Sequence, residues 1–347
     1  LMDYCGFDVA GVSSYLYLTN EKGRKLTCGA VETTKVAIER RLKPFVPGGL
    51  SVAIEAGNQT AWIHEVLVGM GATVTVVNPT KVKAIAESRR KTDKIDARIL
   101  CELLRADAWP HPVHMPGRDT RALRGLLVAR RQLISARTKL CNMVRGMLRQ
   151  EGIRLPPGAL KSMVGWRRLL AQGYEHAHLP IVLATFVDSF VSLTDSIRDL
   201  EKHLAERERR DPRAARLKTI PKVGRIAALT FLGAVDDVNR FSSSRKLVGY
   251  SGLAPTVRSS GERTVYGSIS REGRRELRSV FVQIAHLVAI DKTPATRALR
   301  RWFERVAGRR GKKTAVVALA RRLLVIAYRL LKDETVYDVK RLRRRAA

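Results

Sequence analysis

Four carboxylates and one serine are the residues of this chain whose types and spacing could do chemistry. Asp93 and Asp96 open an amphipathic stretch, Lys91-Thr92-Asp93-Lys94-Ile95-Asp96-Ala97-Arg98-Ile99-Leu100. On a helix their spacing puts both acids on one face about one turn apart, where they can share a divalent cation. The same residues have a plainer use, since Thr92 can cap the helix and acids in a first turn are favoured by the helix dipole. Asp8 and Glu55 shift the balance. Each lies inside or at the end of an apolar, strand-like run, where a carboxylate is costly to hold without a partner. Singly, Asp8 could be a strand-end acid satisfied by backbone amides, and Glu55 could be half of a buried ion pair. Together the four predict a metal site. Cutting a phosphodiester at neutral pH needs charge stabilised on the attacking and leaving oxygens, and two Mg²⁺ ions about 4 Å apart, held by several carboxylates, do this.

The elements that must position these acids can be read from alternation and punctuation. Strands are predicted over 4–10, 14–19 and 25–31, with Glu21-Lys22-Gly23 as a turn, then a helix over 34–45. Pro47-Gly48-Gly49 breaks that helix before a strand over 50–56, a helix over 61–70 and a strand over 72–78. Three strands, helix, strand, helix, strand is the order of an α/β ribonuclease-H-like fold. In such a fold the catalytic acids gather at the ends of the first and fourth strands and on a later helix, the places held here by Asp8, Glu55 and the Asp93/Asp96 pair.

After Pro110, Pro112 and Pro116 the composition becomes helical and basic. Leu123, Leu126, Leu133, Leu140, Val144 and Met147 follow a seam of three- and four-residue steps that Arg130 and Arg137 interrupt. Phe186, Phe190, Leu193, Ile197, Leu200 and Leu204 repeat the pattern on a helix over 180–209. Such seams serve an intramolecular helical hairpin or an intermolecular coiled coil. Asp195, Asp199, Glu201, Glu206 and Glu208 on the second helix are read as solvated-face charges or as charges flanking the seam, not as ligands. The stretch 217–227, with Lys222, Gly224 and Arg225, resembles a helix-hairpin-helix turn, which presents backbone N–H groups to a phosphate, although a plain helix-to-helix turn uses the same Pro and Gly. Residues 293–347 are helical and strongly basic, with Arg309, Arg310, Lys312 and Lys313 in one cluster and Lys340, Arg341, Arg343, Arg344 and Arg345 in another. These are read as phosphate contacts.

Composition agrees. The 347 residues carry 65 Lys plus Arg against 32 Asp plus Glu, a formal +33, which points to a polyanionic partner, nucleic acid first. No apolar run approaches the roughly 18 residues of a spanning helix, so no membrane partner is expected. The chain opens without a basic leader and apolar core. Cys5, Cys28, Cys101 and Cys141 lack zinc-ligand spacing, and a reducing cytoplasm fits.

Two groups of motifs, Asn78-Pro79 with Lys91-Thr92-Asp93-x-x-Asp96-Ala97-Arg98, and Gly252-Leu253-x-Pro255 with Ser260-Gly261, Ile269-Ser270-x-x-Gly273 and Leu277-Arg278, resemble the transposases of the insertion-sequence family numbered 110. These are bridge-RNA-guided recombinases of bacterial and archaeal mobile elements, and the resemblance covers nearly the whole chain. It implies a RuvC-like domain with a DEDD tetrad over 1–110, a helical coiled-coil region over 111–210, a mainly α-helical transposase domain with a catalytic serine over 211–335, and a basic tail over 336–347. The tetrad falls on Asp8, Glu55, Asp93 and Asp96 and the serine on Ser260, with Ser259 the neighbour if the register slips by one. No Ser/His/Asp order is evident, and His286 is read as lying on an apolar helix face. The implied chemistry is therefore metal-assisted attack by Ser260, giving a transient phosphoserine link. Implied partners are Mg²⁺, donor and target DNA, an element-encoded guide RNA, and further copies of the chain in a dimer or tetramer in the bacterial cytoplasm, near the nucleoid. Two other readings are a RuvC-like nuclease or Holliday-junction resolvase that hydrolyses with the four acids alone, and a non-catalytic nucleic-acid scaffold.

Overall fold

Strand alternation in the first part of the chain gives one sheet two unlike faces. The computed structural model describes residues 2–85, 92–108, 112–172, 178–260 and 263–339. It divides into two compact units, Leu1–Pro116 and Gly117–Ala347. In the first, β1 (Asp3–Asp8), β2 (Ser13–Thr19) and β3 (Lys25–Glu32) pair antiparallel in succession. After α1 (Lys35–Leu42), β4 (Leu50–Glu55) joins β1 in parallel, and after α2 (Thr60–Gly69), β5 (Thr73–Val77) joins β4 in parallel. The order across the sheet is β3-β2-β1-β4-β5. One face buries Phe7, Val52 and Ile54 among Ile38, Leu42, Ile63 and Leu67 of the two helices, each apolar side chain contributing roughly 1.5–3 kcal/mol. The other face packs Ala53 and Val77 against Val82 of α3 (Pro79–Ile85) and Leu100 and Leu104 of α4 (Asp93–Arg105).

The second unit begins with two 33-residue helices, α5 (Arg118–Gln150) and α7 (His178–Arg210), joined through α6 (Met163–Leu170). At about 1.5 Å per residue each is about 50 Å long. They pack antiparallel within the chain. Val144 and Leu148 near the end of α5 meet Leu183 and Phe190 near the start of α7, whereas Leu123 and Leu204 share the other core. The arginines that interrupt the α5 seam reach across it: Arg130 pairs with Glu201 at 2.6 Å, and Arg137 donates to Thr194 at 3.3 Å. By length and composition alone Leu179–Arg210 could cross a membrane. A search for one unbroken apolar run misses it, because Ser, Thr and Asp are scattered among its apolar residues.

Next come α8 (Pro212–Lys218), α9 (Arg225–Val235), α10 (Ser244–Tyr250), a hairpin of β6 (Pro255–Ser260) and β7 (Arg263–Ile269), then α11 (Arg275–Ile290), α12 (Arg297–Arg310) and α13 (Lys312–Lys332). Helix α13 forms the centre of this core, burying Leu319, Leu323, Leu324 and Ala327. The hairpin is an addition to the helical region expected from sequence. One acid assignment changes as well: Glu208 is buried rather than on a solvated face, whereas Glu201 pairs with Arg130 across the seam as a flanking charge. The four cysteines are free.

Candidate functional site

Strand register and helix direction bring the four acids toward the same end of the sheet. Phe7 pairs with Ile54 across the parallel β1/β4 ladder, so Asp8 and Glu55, one residue further, end adjacent strands side by side. By alternation both lie on the face that carries Gly6 and Ala53, the face covered by α4. Helix α4 is seated there by a lack of side chain: a Cβ added at Gly6 would lie 1.9 Å from the Ala97 carbonyl oxygen and 2.5 Å from the Cys101 nitrogen. One turn on, Cys101 Sγ donates to the Tyr4 carbonyl at 3.2 Å and is 3.3 Å from Thr19 Oγ1. Burial pushes the Cys101 thiol up from its ordinary value, so it stays a neutral donor. The helix therefore runs antiparallel to β1, from the Gly6 level toward Tyr4, with its first turn toward the Asp8 end. Asp8 lies two strand residues beyond Gly6, roughly 6.6 Å. Asp93 lies four helical residues before Ala97, roughly 6 Å along the axis. The levels match.

Local bonds hold the strand ends. Thr92 caps α4 by accepting from the Ile95 N–H at 3.3 Å, as its sequence predicts. Thr60 Oγ1 donates to the Glu55 carbonyl at 2.8 Å and accepts from the Gly57 N–H at 2.6 Å. Past Asp8, Ala10 is fixed by Ser14, whose Oγ accepts from its N–H at 3.0 Å, and its carbonyl accepts from Thr33 and Gln59. These bracing residues carry no motif in the sequence, and only three-dimensional pairing reveals them. The donor set is all carboxylate, the kind of oxygen ligand Mg²⁺ takes. Among the described residues, however, no three His, Cys, Asp or Glu side chains come close enough to hold one ion.

Ser260 ends β6 and pairs with Arg263, and the preceding pair is Ser259 with Thr264. The Gly261 of the predicted Ser-Gly pair lies outside the described residues, as do Lys91 and the cluster at 340–345. Ser259 Oγ lies 3.2 Å from Thr264 Oγ1, an exposed cross-strand contact. The hairpin stands out from the core, with Val257 and Val265 53% and 48% exposed. Its base is anchored by the glycines of the second motif group. Gly252 at φ +70° and Gly273 at φ +90° let two loops touch, for a Cβ at Gly252 would lie 2.2 Å from the Glu272 carbonyl and one at Gly273 2.1 Å from the Tyr250 carbonyl. The bonds Arg271 N–H to Gly252 O, 3.2 Å, and Arg274 N–H to Tyr250 O, 3.0 Å, close the junction.

The basic residues divide into two groups. Lys222, at φ +67°, pairs with Asp291 at 3.1 Å, and Arg225 joins Lys218 on Glu208. Bonds from Lys218 and Arg225 hold the Glu208 carboxyl below its usual range. Gly224 caps α9 without a side-chain bond. The turn at 217–227 is thus tied to its own unit through both cations. Arg309, Arg310, Lys312 and Lys313 are exposed around Gly311, where α12 meets α13. His286 is exposed on α11 rather than on an apolar face.

Residues 5–152 match the family described as Transposase and designated DEDD_Tnp_IS110, and residues 214–301 match the family described as Transposase IS116/IS110/IS902. The "probable family 20 transposase" of Pseudomonas aeruginosa is 31% identical over 294 residues, covering 82% of this chain and 85% of that protein. The chain belongs to the IS110/IS116/IS902 transposase family. Similar to this transposase-family chain are also the transposase of insertion sequence element IS1111A from Coxiella burnetii, 28% identical over 89% of this chain and 87% of the relative, and the pilin gene-inverting protein of Moraxella bovis, 30% identical over 76% and 74%. The two family matches fall one over the sheet with its acids and one over the Gly252/Gly273 junction and its hairpin.

Proposed function

We propose that this chain is an RNA-guided DNA recombinase of an insertion sequence, which cuts and rejoins donor and target DNA through a transient phosphoserine link at Ser260. The observation that carries the reading is the register that ends adjacent strands in Asp8 and Glu55, on the face covered by α4, whose first turn carries Asp93 and Asp96. The sheet, with β1 antiparallel to β2 and parallel to β4 in the order β3-β2-β1-β4-β5, supports a RuvC-like, ribonuclease-H-like domain. Asp8, Glu55, Asp93 and Asp96 would hold Mg²⁺, whose charge, when bound, stabilises the developing oxyanions at the scissile phosphate.

The chain's own step is nucleophilic. Ser260 gives up its hydroxyl proton and its oxygen bonds to phosphorus, while the bond to one deoxyribose oxygen breaks and that oxygen takes a proton. Attack by a deoxyribose hydroxyl of the new partner strand reverses the sequence and frees the serine. A relative named for inverting a gene favours this over hydrolysis, because inversion requires each cut end to be rejoined, and a phosphoserine link conserves the phosphodiester. The net +33 supports nucleic-acid partners, and with a guide RNA supplying base pairing the protein needs little direct base readout. Strand exchange needs several active centres, so a dimer or tetramer in the bacterial cytoplasm is part of the proposal.

The test mixes the protein with its element's flanking RNA, donor DNA, target DNA and Mg²⁺ and looks for protein-linked DNA on a denaturing gel. Wild type should give the adduct, and Ser260→Ala and Asp93→Asn should not. Cut DNA without an adduct, unchanged in Ser260→Ala, would instead make this a hydrolytic nuclease. Neither cut nor protein-linked DNA from wild type, with phenotypes left intact by Asp8→Asn and Asp93→Asn, would leave only the scaffold reading.

A further inference from the structure

Behind the base of the serine hairpin lies a groove of about 790 Å³, walled by the end of β7, α12 and α13. Its volume falls in the roughly 300–1,000 Å³ range of ligand clefts. Arg271, Lys313, Arg321 and Arg322 line it and no acid does. Some cations elsewhere in this unit are matched, as Arg131 is by Glu276 and Arg216 by Glu334. Among the described residues none of these four has an acidic partner. The start of α13 adds to the field, for its first turn carries Lys312 and Lys313 and no acid, and its N-cap Gly311 offers no side-chain bond.

The rest of the wall is apolar and aromatic. Trp302, Val317 and Val325 form part of it, and the Arg322 guanidinium stands 4.9 Å from the centre of the Trp302 ring. The Arg322 Nε is buried and has no hydrogen-bond partner among the described residues, and burial lowers the guanidinium pKa. A buried donor without an acceptor is costly unless a ligand supplies one. Cations alone would suit any polyanion. Cations beside an aromatic and aliphatic wall suit a ligand that joins a phosphate to a flat ring.

We propose that this groove holds an unpaired nucleotide of a nucleic-acid strand, with its phosphates on Arg271, Arg321 and Lys313 and its base against Trp302 and the aliphatic wall. A duplex keeps its bases stacked inside and could use only the cations, so the groove prefers single strands. The inference rests on the recombinase reading only in taking nucleic acid as the ligand. It needs neither the four acids nor Ser260, and it places an unpaired segment beside the hairpin that ends in that serine.

The test measures binding of a fluorescent single-stranded DNA dodecamer, the RNA of the same sequence and the corresponding DNA duplex by anisotropy, without Mg²⁺. The full chain is compared with Arg271→Ala/Arg321→Ala, Trp302→Leu and, as a charge control on α6 outside the groove lining, Arg167→Ala/Arg168→Ala. The groove variants should lose about tenfold or more in single-strand affinity for the arginine pair and about fivefold or more for Trp302→Leu. Duplex affinity should change less in both. The stronger of the DNA and RNA losses identifies which strand uses the groove. Ultraviolet crosslinking of bromouracil-substituted single strands to wild type should map to Trp302, a readout that needs no variant to fold. Single-strand affinity within twofold of wild type in the groove variants would overturn the proposal. So would equal losses in the charge control, polyglutamate competing as well as the dodecamer, or crosslinks confined to other parts of the chain. If Asp93→Asn still recombines DNA while the groove variants lose single-strand binding, the catalytic reading fails and the groove stands.

Discussion

Gly6 touches the backbone of α4 at Ala97, and a single methyl group there would sit 1.9 Å from the Ala97 carbonyl oxygen. Because that oxygen is backbone, no side chain can turn aside, and α4 must lift from β1 with its acids. Gly6→Ala should therefore cost about 3 kcal/mol, at the upper end of overpacking penalties. DNA cutting should fall with it. Gly11→Ala is the control, since nothing lies within 4 Å of its added Cβ, and it should change stability by less than about 0.5 kcal/mol. Urea unfolding of both variants checks the pair, and equal stabilities would mean that α4 does not depend on the close approach.

Asp93→Asn and Asp8→Asn should separate metal binding from folding. Neither acid contributes to the apolar packing that holds the sheet and α4 together, so both variants should melt within a few degrees of wild type in metal-free buffer. Mg²⁺ at about 100 times its Kd should stabilise wild type by about 2.7 kcal/mol. The Asn variants should show little of that shift. An undiminished shift in both would place the cation elsewhere.

Much of the first unit was legible because its signals are local. Alternating strands, Pro47-Gly48-Gly49 and the Thr92 cap define β1 to β5 and the start of α4 to within two residues or so at most ends, whereas α3 carried no signal of its own. The hairpin was not legible, because β6 and β7 expose Val257, Val265 and their polar neighbours alike and show no buried face. Pairings across the chain were equally hidden. Lys222 looks like a phosphate contact until Asp291 is found beside it, and Glu208 looks solvated until Lys218 and Arg225 close on it. The acids could be singled out because each breaks an apolar pattern, whereas Gly6, which positions them, breaks none.

The Lys222–Asp291 contact gives a pH dependence with a definite sign. Bonds from Thr293 foremost, and from Lys222 and Thr296, lower the Asp291 pKa from 3.8 to about 2. The other charged group near its helix end, Lys292, is exposed. A carboxyl whose folded pKa is depressed stabilises the fold in full above its unfolded value and loses that contribution as pH falls through the folded one. Asp291→Asn should therefore melt below wild type by a constant margin above about pH 5, and the margin should shrink from about pH 4 and close near pH 2. Melting curves of both proteins across that range check it. A margin that persists at the acid end would show that Asp291 acts through packing rather than charge.

The two adjacent serines make the sharpest test of the proposed chemistry, because they hold different places in the hairpin. Ser259 pairs with Thr264 across the ladder, with its hydroxyl 3.2 Å from the threonine oxygen, and Ser260 is the last residue of the strand. Ser259→Ala removes one exposed cross-strand contact of about 0.2–1 kcal/mol and should leave adduct formation within about threefold of wild type. Ser260→Ala should abolish the adduct while leaving RNA binding and melting unchanged. Ser260→Cys keeps a nucleophile at the same strand position and should recover a thiol-linked product at a reduced rate. The measurement is peptide mapping of the DNA-linked chain. A link at Ser259, or an adduct retained in Ser260→Ala and lost in Ser259→Ala, would move the nucleophile one residue toward the strand interior, to the serine that pairs with Thr264.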